Sequence, residues 1–148
     1  MLDREFWFKL KTKVIPRYRN HIFGTKSGGK GAKDVFGKPY KRYSSKYSTR
    51  KKTGRIKRQD SKFKGSNAPV LTGDLMRDFQ LRDVSDTGFS FGTVAHGGKV
   101  KHLDKMDRSI STNKKPLPTD ILEMILTEAD EYVEAKLNKQ IKGRTFNI

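Results

Sequence analysis

The sequence predicts an α+β domain. A small antiparallel sheet, a hairpin plus one short strand, is packed by an N-terminal helix and a long C-terminal helix, and the domain carries a long extended basic arm. Three observations predict this. Leu2, Phe6, Leu10 and Val14 recur every fourth residue at the start. Leu122, Ile125, Ala129, Tyr132, Val133, Leu137 and Ile141 form a second apolar stripe near the end. Between them Phe89, Phe91, Thr93 and Ala95 alternate at period two. The first two patterns are those of amphipathic helices and the third that of a half-buried strand. Helices covering one face of a small sheet make an α+β layer arrangement. A chain of 148 residues is expected to form one domain.

The first element is a helix within residues 1–23. Trp7 and Phe8 widen its stripe, and Pro16 is expected to kink or end it. Residues 24–67 form the arm. From 24 to 66 the chain has 15 Lys/Arg against Asp34 and Asp60, and Val35 and Ile56 are its only large aliphatic residues. Such a stretch buries too little apolar surface to offset its ordering entropy, so it is expected to be ordered only by a neighbour. Residues 68–148 form the α+β core. Leu71, Leu75 and Phe79 fit one face of a short helical turn, with Thr72 or Asp74 as cap. A hairpin turns at Asp86-Thr87-Gly88, where glycine supplies a positive φ. Val100, Leu103 and Met106 mark one helical turn, Arg108-Ser109-Ile110-Ser111 a short strand, and residues 113–118 a loop. The last helix spans 120–142, with Asp120 and Glu123 as a capping box. Acidic residues fill its first half and Lys136, Lys139 and Lys142 its end, which suits the helix dipole. Gly143 ends it.

The net charge of +17 is unevenly spread. Residues 1–67 hold 21 basic and 4 acidic residues, whereas residues 68–148 hold 12 of each. The partner of the arm is therefore anionic: nucleic acid, an acidic protein face or, less favoured, a membrane surface. Its interaction residues are Tyr40, Lys41, Arg42, Tyr43, Lys46, Tyr47, Arg50, Lys51, Lys52, Arg55, Lys57 and Arg58. Tyrosines interleaved with cations can stack on bases. They can equally anchor an extended strand on protein, where Tyr and Arg are favoured contact residues. Composition leaves both readings open.

Tests for catalytic chemistry fail. There is no cysteine, which excludes disulfides and thiolate metal sites and fits a reducing compartment. The stretch GTKSGGKG has the G-x-x-x-x-G-K spacing of a phosphate loop, but Gly31 stands where Ser or Thr must hold magnesium. It reads as a flexible basic linker. His21, His96 and His102 form no pair at metal-ligand spacing, and His102 with Asp104 and Asp107 reads as a solvated loop. Glu123, Glu128, Asp130, Glu131 and Glu134 form either a solvated helix face or an acidic docking surface for a basic arm from another subunit. No catalytic set, cofactor or metal is expected. The N-terminus has no signal-peptide pattern and no stretch approaches the ~18 apolar residues of a membrane span, so a soluble protein made inside the cell is expected.

Three stretches taken in order carry a resemblance. They are KDVFGKPYKRYSSKY, APVLTGDLMRDFQLRDVSDTGFSFGT and DRSISTNKKPLPTDILEMIL. Together they resemble the phage virion-morphogenesis or tail-completion proteins, small components of the head–tail neck. The matching positions are Asp34, Gly37, Tyr40, Tyr43, Ser44 and Tyr47, then Leu71, Thr72, Gly73 and Leu75. Gly88, Phe89, Phe91, Gly92, Arg108, Ile110, Ser111, Pro116 and Pro118 follow. The likeness runs over about residues 34–140, and its specificity lies in the order of short motifs.

The resemblance implies a non-enzymatic structural protein. Its copies would form a ring, expected to be a hexamer, at the head-proximal end of the tail and would help join tail to head. Partners would be other copies, other neck and tail proteins and packaged DNA in the channel, with no membrane. The protein would reside in the virion after assembly in the host cytoplasm. The competing expectation is a basic nucleic-acid-binding protein, ribosomal in style, using residues 38–64.

Overall fold

The computed structural model describes residues 2–55, 58–70 and 73–143, at Leu81 and Arg82 for the backbone only. The expectations placed on Ile56, Lys57, Leu71 and Thr72 lie outside the described residues.

Helix α1 spans Arg4–Phe23. Asp3 caps it, accepting from the Phe6 N–H at 3.0 Å. Its inward stripe of Phe6, Leu10, Val14, Tyr18 and Ile22 is buried along the whole length. Of the two expected outcomes at Pro16, a kink or an end, the end does not occur, and the helix runs on to Phe23. An interior proline costs about 3 kcal/mol, and burial of Tyr18, Ile22 and Phe23 beyond it offsets this at about 1.5–3 kcal/mol per large side chain. The helix stops at Gly24, whose φ of 67° provides the left-handed cap.

The hairpin lies against α1. Strand β1 (Gln80–Val84) pairs antiparallel with β2 (Phe89–Gly92), with a bulge between Leu81 and Asp83. Tyr18, Phe79 and Phe91 form an aromatic cluster with centroids 4.8–5.3 Å apart. At the turn the Ser85 N–H bonds the Gly88 carbonyl at 2.8 Å, and the Ser85 hydroxyl accepts from the Thr87 N–H. Gly88 has no positive φ, so the turn does not depend on glycine in the way the sequence suggested.

The described sheet has two strands, and the expected third does not form. Ile110 is fully buried, but its backbone bonds elsewhere: its carbonyl accepts from the Tyr18 hydroxyl at 2.7 Å, and the Ser109 carbonyl accepts from the Val35 N–H at 2.8 Å. These bonds satisfy backbone groups that a strand partner would otherwise have to satisfy.

Helix α3 (Asp74–Asp78) starts at Gly73, which is left-handed at φ 81° and gives no side-chain cap. Asp74 therefore lies in the first turn rather than at the cap. Helix α4 spans Gly97–Lys105 and is longer than the single turn expected. The turn before it is held by Asp78, whose carboxylate accepts from the N–H groups of Val94, Ala95 and His96 at 2.9–3.1 Å.

Helix α5 spans Thr119–Gly143, so Asp120 also sits in a first turn instead of capping. It runs antiparallel along α1, with contacts from Asp120–His21 at one end to Lys136–Asp3 at the other. Ile121 is buried, Tyr132 packs 5.0 Å from the Phe6 ring, and Lys13 meets Glu128 at 2.8 Å. Asp3 accepts from both the Tyr132 hydroxyl (2.9 Å) and the Lys136 ammonium. These hydrogen bonds, with Lys136 first, hold the Asp3 carboxyl well below the usual carboxylate range.

The basic arm departs most from expectation. It is neither extended throughout nor dependent on a neighbour for burial. It contains α2 (Ser45–Thr53) and a 3-10 turn at Ser61–Phe63, and it inserts Val35, Tyr40 and Phe63 into the same hydrophobic cluster as α1.

Candidate functional site

The arm enters the core through a turn. The Asp34 carboxylate accepts from the N–H groups of Phe36 (3.0 Å) and Lys38 (2.8 Å), and the Gly37 N–H bonds the Asp34 carbonyl at 3.0 Å. Gly37 has φ 82°, a conformation that L side chains rarely adopt. The Asp-x-x-Gly spacing is thus the chemistry of one tight turn, and it aims Val35 inward. Tyr40 follows, with 8% of its surface exposed.

Helix α2 then turns a set of residues at fourfold spacing onto one side. Ser44 caps it, accepting from the Tyr47 N–H at 3.4 Å, and Gly54 closes it at φ 70°. Tyr43, Tyr47 and Lys51 sit four apart. The rings of Tyr43 and Tyr47 lie 4.6 Å apart, and the Lys51 ammonium is 5.0 Å from the Tyr43 centroid. Lys51 is only 1% exposed; its ammonium donates to the carbonyls of Ser66 (2.6 Å) and Ala68 (2.9 Å). Arg108 reaches the same place from the far side of the sequence. Its guanidinium stacks 3.7 Å over Tyr43 and donates to the carbonyls of Asn67 (2.8 Å) and Lys41 (2.5 Å).

Two buried cations therefore flank one tyrosine. Among the described residues neither forms an ion pair with a carboxylate. Their charge is accommodated by carbonyl oxygens and aromatic faces. Burial, and then the charge of Arg108, pulls the Lys51 ammonium down to about 8. Burial pushes the Tyr43 hydroxyl up to about 12, against the opposing pull of Arg108, and raises Tyr40 further. The Tyr40 hydroxyl has no hydrogen-bond partner among the described residues.

Beside this cluster lies a groove of about 690 Å³. Val70, Leu75, Met76, Leu103 and Met106 give it an apolar floor, Tyr43 and Tyr47 one wall, and Lys41, Arg42, Lys99 and Arg108 its cationic edge. All three stretches that carry the resemblance meet here. Tyr43 and Tyr47 come from the first, Gly73 and Leu75 from the second and Arg108 from the third. Other motif positions stand apart from it: the Pro116 carbonyl accepts from the Ser111 hydroxyl, and buried Pro118 opens α5.

The remaining candidates of the arm divide cleanly. Lys41, Arg42, Lys46, Arg50, Lys52, Arg55 and Arg58 are exposed, and Lys41 pairs with Asp107 at 2.5 Å. Tyr40, Tyr43 and Lys51 pack on their own chain and anchor the arm there. Lys99, His102, Leu103 and Met76 were not singled out as a site. The fourfold spacing of Tyr43, Tyr47 and Lys51 was a visible signal of one helix face, but nothing local connects it to Arg108 or α4.

The glycine loop at 24–31 is a packed turn rather than a flexible linker. A Cβ on Gly29 would fall 1.9 Å from the Ser66 hydroxyl, so the spacing that imitates a phosphate loop records close backbone approach. Among the described residues no group of three or more His, Asp or Glu is placed to hold a metal ion, and no helix is long and apolar enough to cross a membrane. Compared with known proteins, the chain matches no family model, no curated protein and no solved structure.

Proposed function

We propose that this chain is a non-catalytic structural subunit of a phage head–tail neck. It would act as a tail-completion or terminator protein, its copies forming a ring at the head-proximal end of the tail and helping to join tail to head. One observation carries the reading: parts of the three motif stretches, residues within 41–47 and 69–76 together with Arg108, line a single groove. Resemblance restricted to ordered motifs is what a common binding surface would leave in a sequence. The groove is shaped for a macromolecular partner, with an apolar floor for side chains and cations at the edge. A hexamer matches the symmetry expected of a tail.

The purified chain tests the reading. Sedimentation and negative-stain microscopy should show closed rings at micromolar concentration. A chain that stays monomeric under these conditions would count against it.

A second reading is favoured by a specific observation. Lys46, Arg50, Lys52 and Arg55 are exposed on or beside α2, with no ion pair among the described residues. Such a face can line a DNA channel, or it can make the chain a nucleic-acid-binding protein in its own right. If 6–10 cations met phosphates, affinity for duplex DNA would fall about 10³–10⁵-fold between 50 and 200 mM salt. Nanomolar binding with that slope, by a chain that forms no rings, would favour the second reading.

A further inference from the structure

We infer that the outer face of α5 on one copy seats in the cationic groove of the next, so that copies join head to tail. The inference rests on the ring-forming reading above and names the two surfaces that would make the ring.

The first surface is a helix face that the described residues leave largely exposed. Leu122, Leu126, Leu137 and Ile141 are 40%, 66%, 51% and 65% exposed. At 100° per residue Leu122, Leu126, Val133 and Leu137 fall within one 60° sector, well away from the Ile121, Ile125 and Tyr132 side that meets α1. From Leu122 to Leu137 the stripe is about 22 Å long. Scattered apolar residues on a surface are ordinary, whereas an aligned stripe marks a contact surface.

Charge selects the occupant. Residues 120–134 contain six acidic residues and no Lys or Arg. Glu123, Asp130 and Glu134 fall along one flank of the exposed stripe and are themselves exposed. The groove is predominantly basic, with a floor of Val70, Leu75, Met76 and Leu103 and an edge that includes Arg42 and Lys99; its one carboxylate among the described lining residues, Asp74, pairs with Arg77. No residue of α5 lines the groove of its own chain. An acidic amphipathic helix in a cationic apolar groove is helix-in-groove recognition with matched potentials. The two surfaces are different parts of one molecule. The contact is therefore heterologous, and it makes a ring if the rotation closes and a filament if it does not.

The experiment uses two variants of the full chain, both altered only at exposed positions. Leu126→Asp disables the helix face, and Arg42→Glu with Lys99→Glu disables the groove. Circular dichroism melting confirms that each is folded. Analytical ultracentrifugation then measures wild type, each variant alone, and an equimolar mixture. The inference expects each variant alone to associate at least about tenfold more weakly than wild type. The mixture should form a dimer that grows no further, because one intact face meets one intact groove. If wild type forms rings and the folded variants form them equally well, the inference is overturned while the ring reading stands. Wild type that stays monomeric would overturn both. Variants that dissociate but do not pair in the mixture would overturn the head-to-tail geometry.

Discussion

Helices α1 and α5 are built from the same kind of sequence and put to different uses. In α1 the apolar stripe from Phe6 to Ile22 is buried along its length. In α5, which is longer, Ile121 is the one buried residue, and Leu122, Leu126, Leu137 and Ile141 face outward. Periodicity reports that a helix has an apolar face. It does not report whether the same chain covers that face. The excess on α5, beyond what α1 can cover, is the surface that the proposed contact between copies would use.

Substitutions should sort residues to one side or the other of that comparison. The largest effect is expected in α1. Leu10→Ala should destabilise the chain by about 2–5 kcal/mol in denaturant unfolding, through lost burial and the cavity left behind. A loss below about 1 kcal/mol would mean that α1 is not the centre of the core.

Arg108→Ala comes next, at about 3 kcal/mol, because carbonyls of Asn67 and Lys41 lose their donors in a site that is 4% exposed. That result would place the tyrosine–cation cluster with α1, as part of the fold, although it is built from charges. A near-neutral effect on unfolding would move Arg108 to the assembly side.

Lys51 should give the cluster a pH signature. Its folded pKa of about 8 lies below the usual lysine value, so between pH 8 and about 10 the unfolded chain binds the extra proton. Stability should therefore rise with pH across that window. Above pH 10 the raised hydroxyls of Tyr18, Tyr40 and Tyr43 reverse the sign, since the unfolded tyrosines then lose protons that the folded ones keep. Lys51→Met should remove the rise between pH 8 and 10 and leave the fall above it. An unchanged profile in that variant would mean that Lys51 titrates as an ordinary surface lysine.

The smallest effect on stability belongs to α5. Leu126→Asp should change unfolding by no more than about 0.5 kcal/mol, as exposed substitutions do. A loss of several kcal/mol would show that the outer face is covered within the chain, and the contrast with α1 would disappear.

Much of the α+β frame was legible in the sequence because both long helices and the hairpin rest on local periodicity. The arm was not. Counting aliphatic residues missed that Tyr40, Phe63 and the stem of Lys51 pack like apolar groups. The burial of Ile110 was compatible with a strand, but the bonds of its carbonyl to Tyr18 and of the Ser109 carbonyl to Val35 are long-range and leave no period. The candidate site was half legible. Tyr43, Tyr47 and Lys51 carry helical spacing, whereas Arg108, Lys99 and Met76 join them only through the tertiary fold. The cost of Pro16 is local, whereas what lets α1 run past it, the burial of Tyr18, Ile22 and Phe23, is tertiary and gives no local signal.

Cryo-electron microscopy of the virion tests the central claim most directly. A structural neck subunit should appear as a ring at the head-proximal end of the tail, with Leu126 and Leu137 of each copy covered by the groove of the next. A particle that lacks this chain, or a ring in which that face of α5 points to solvent, would contradict the account.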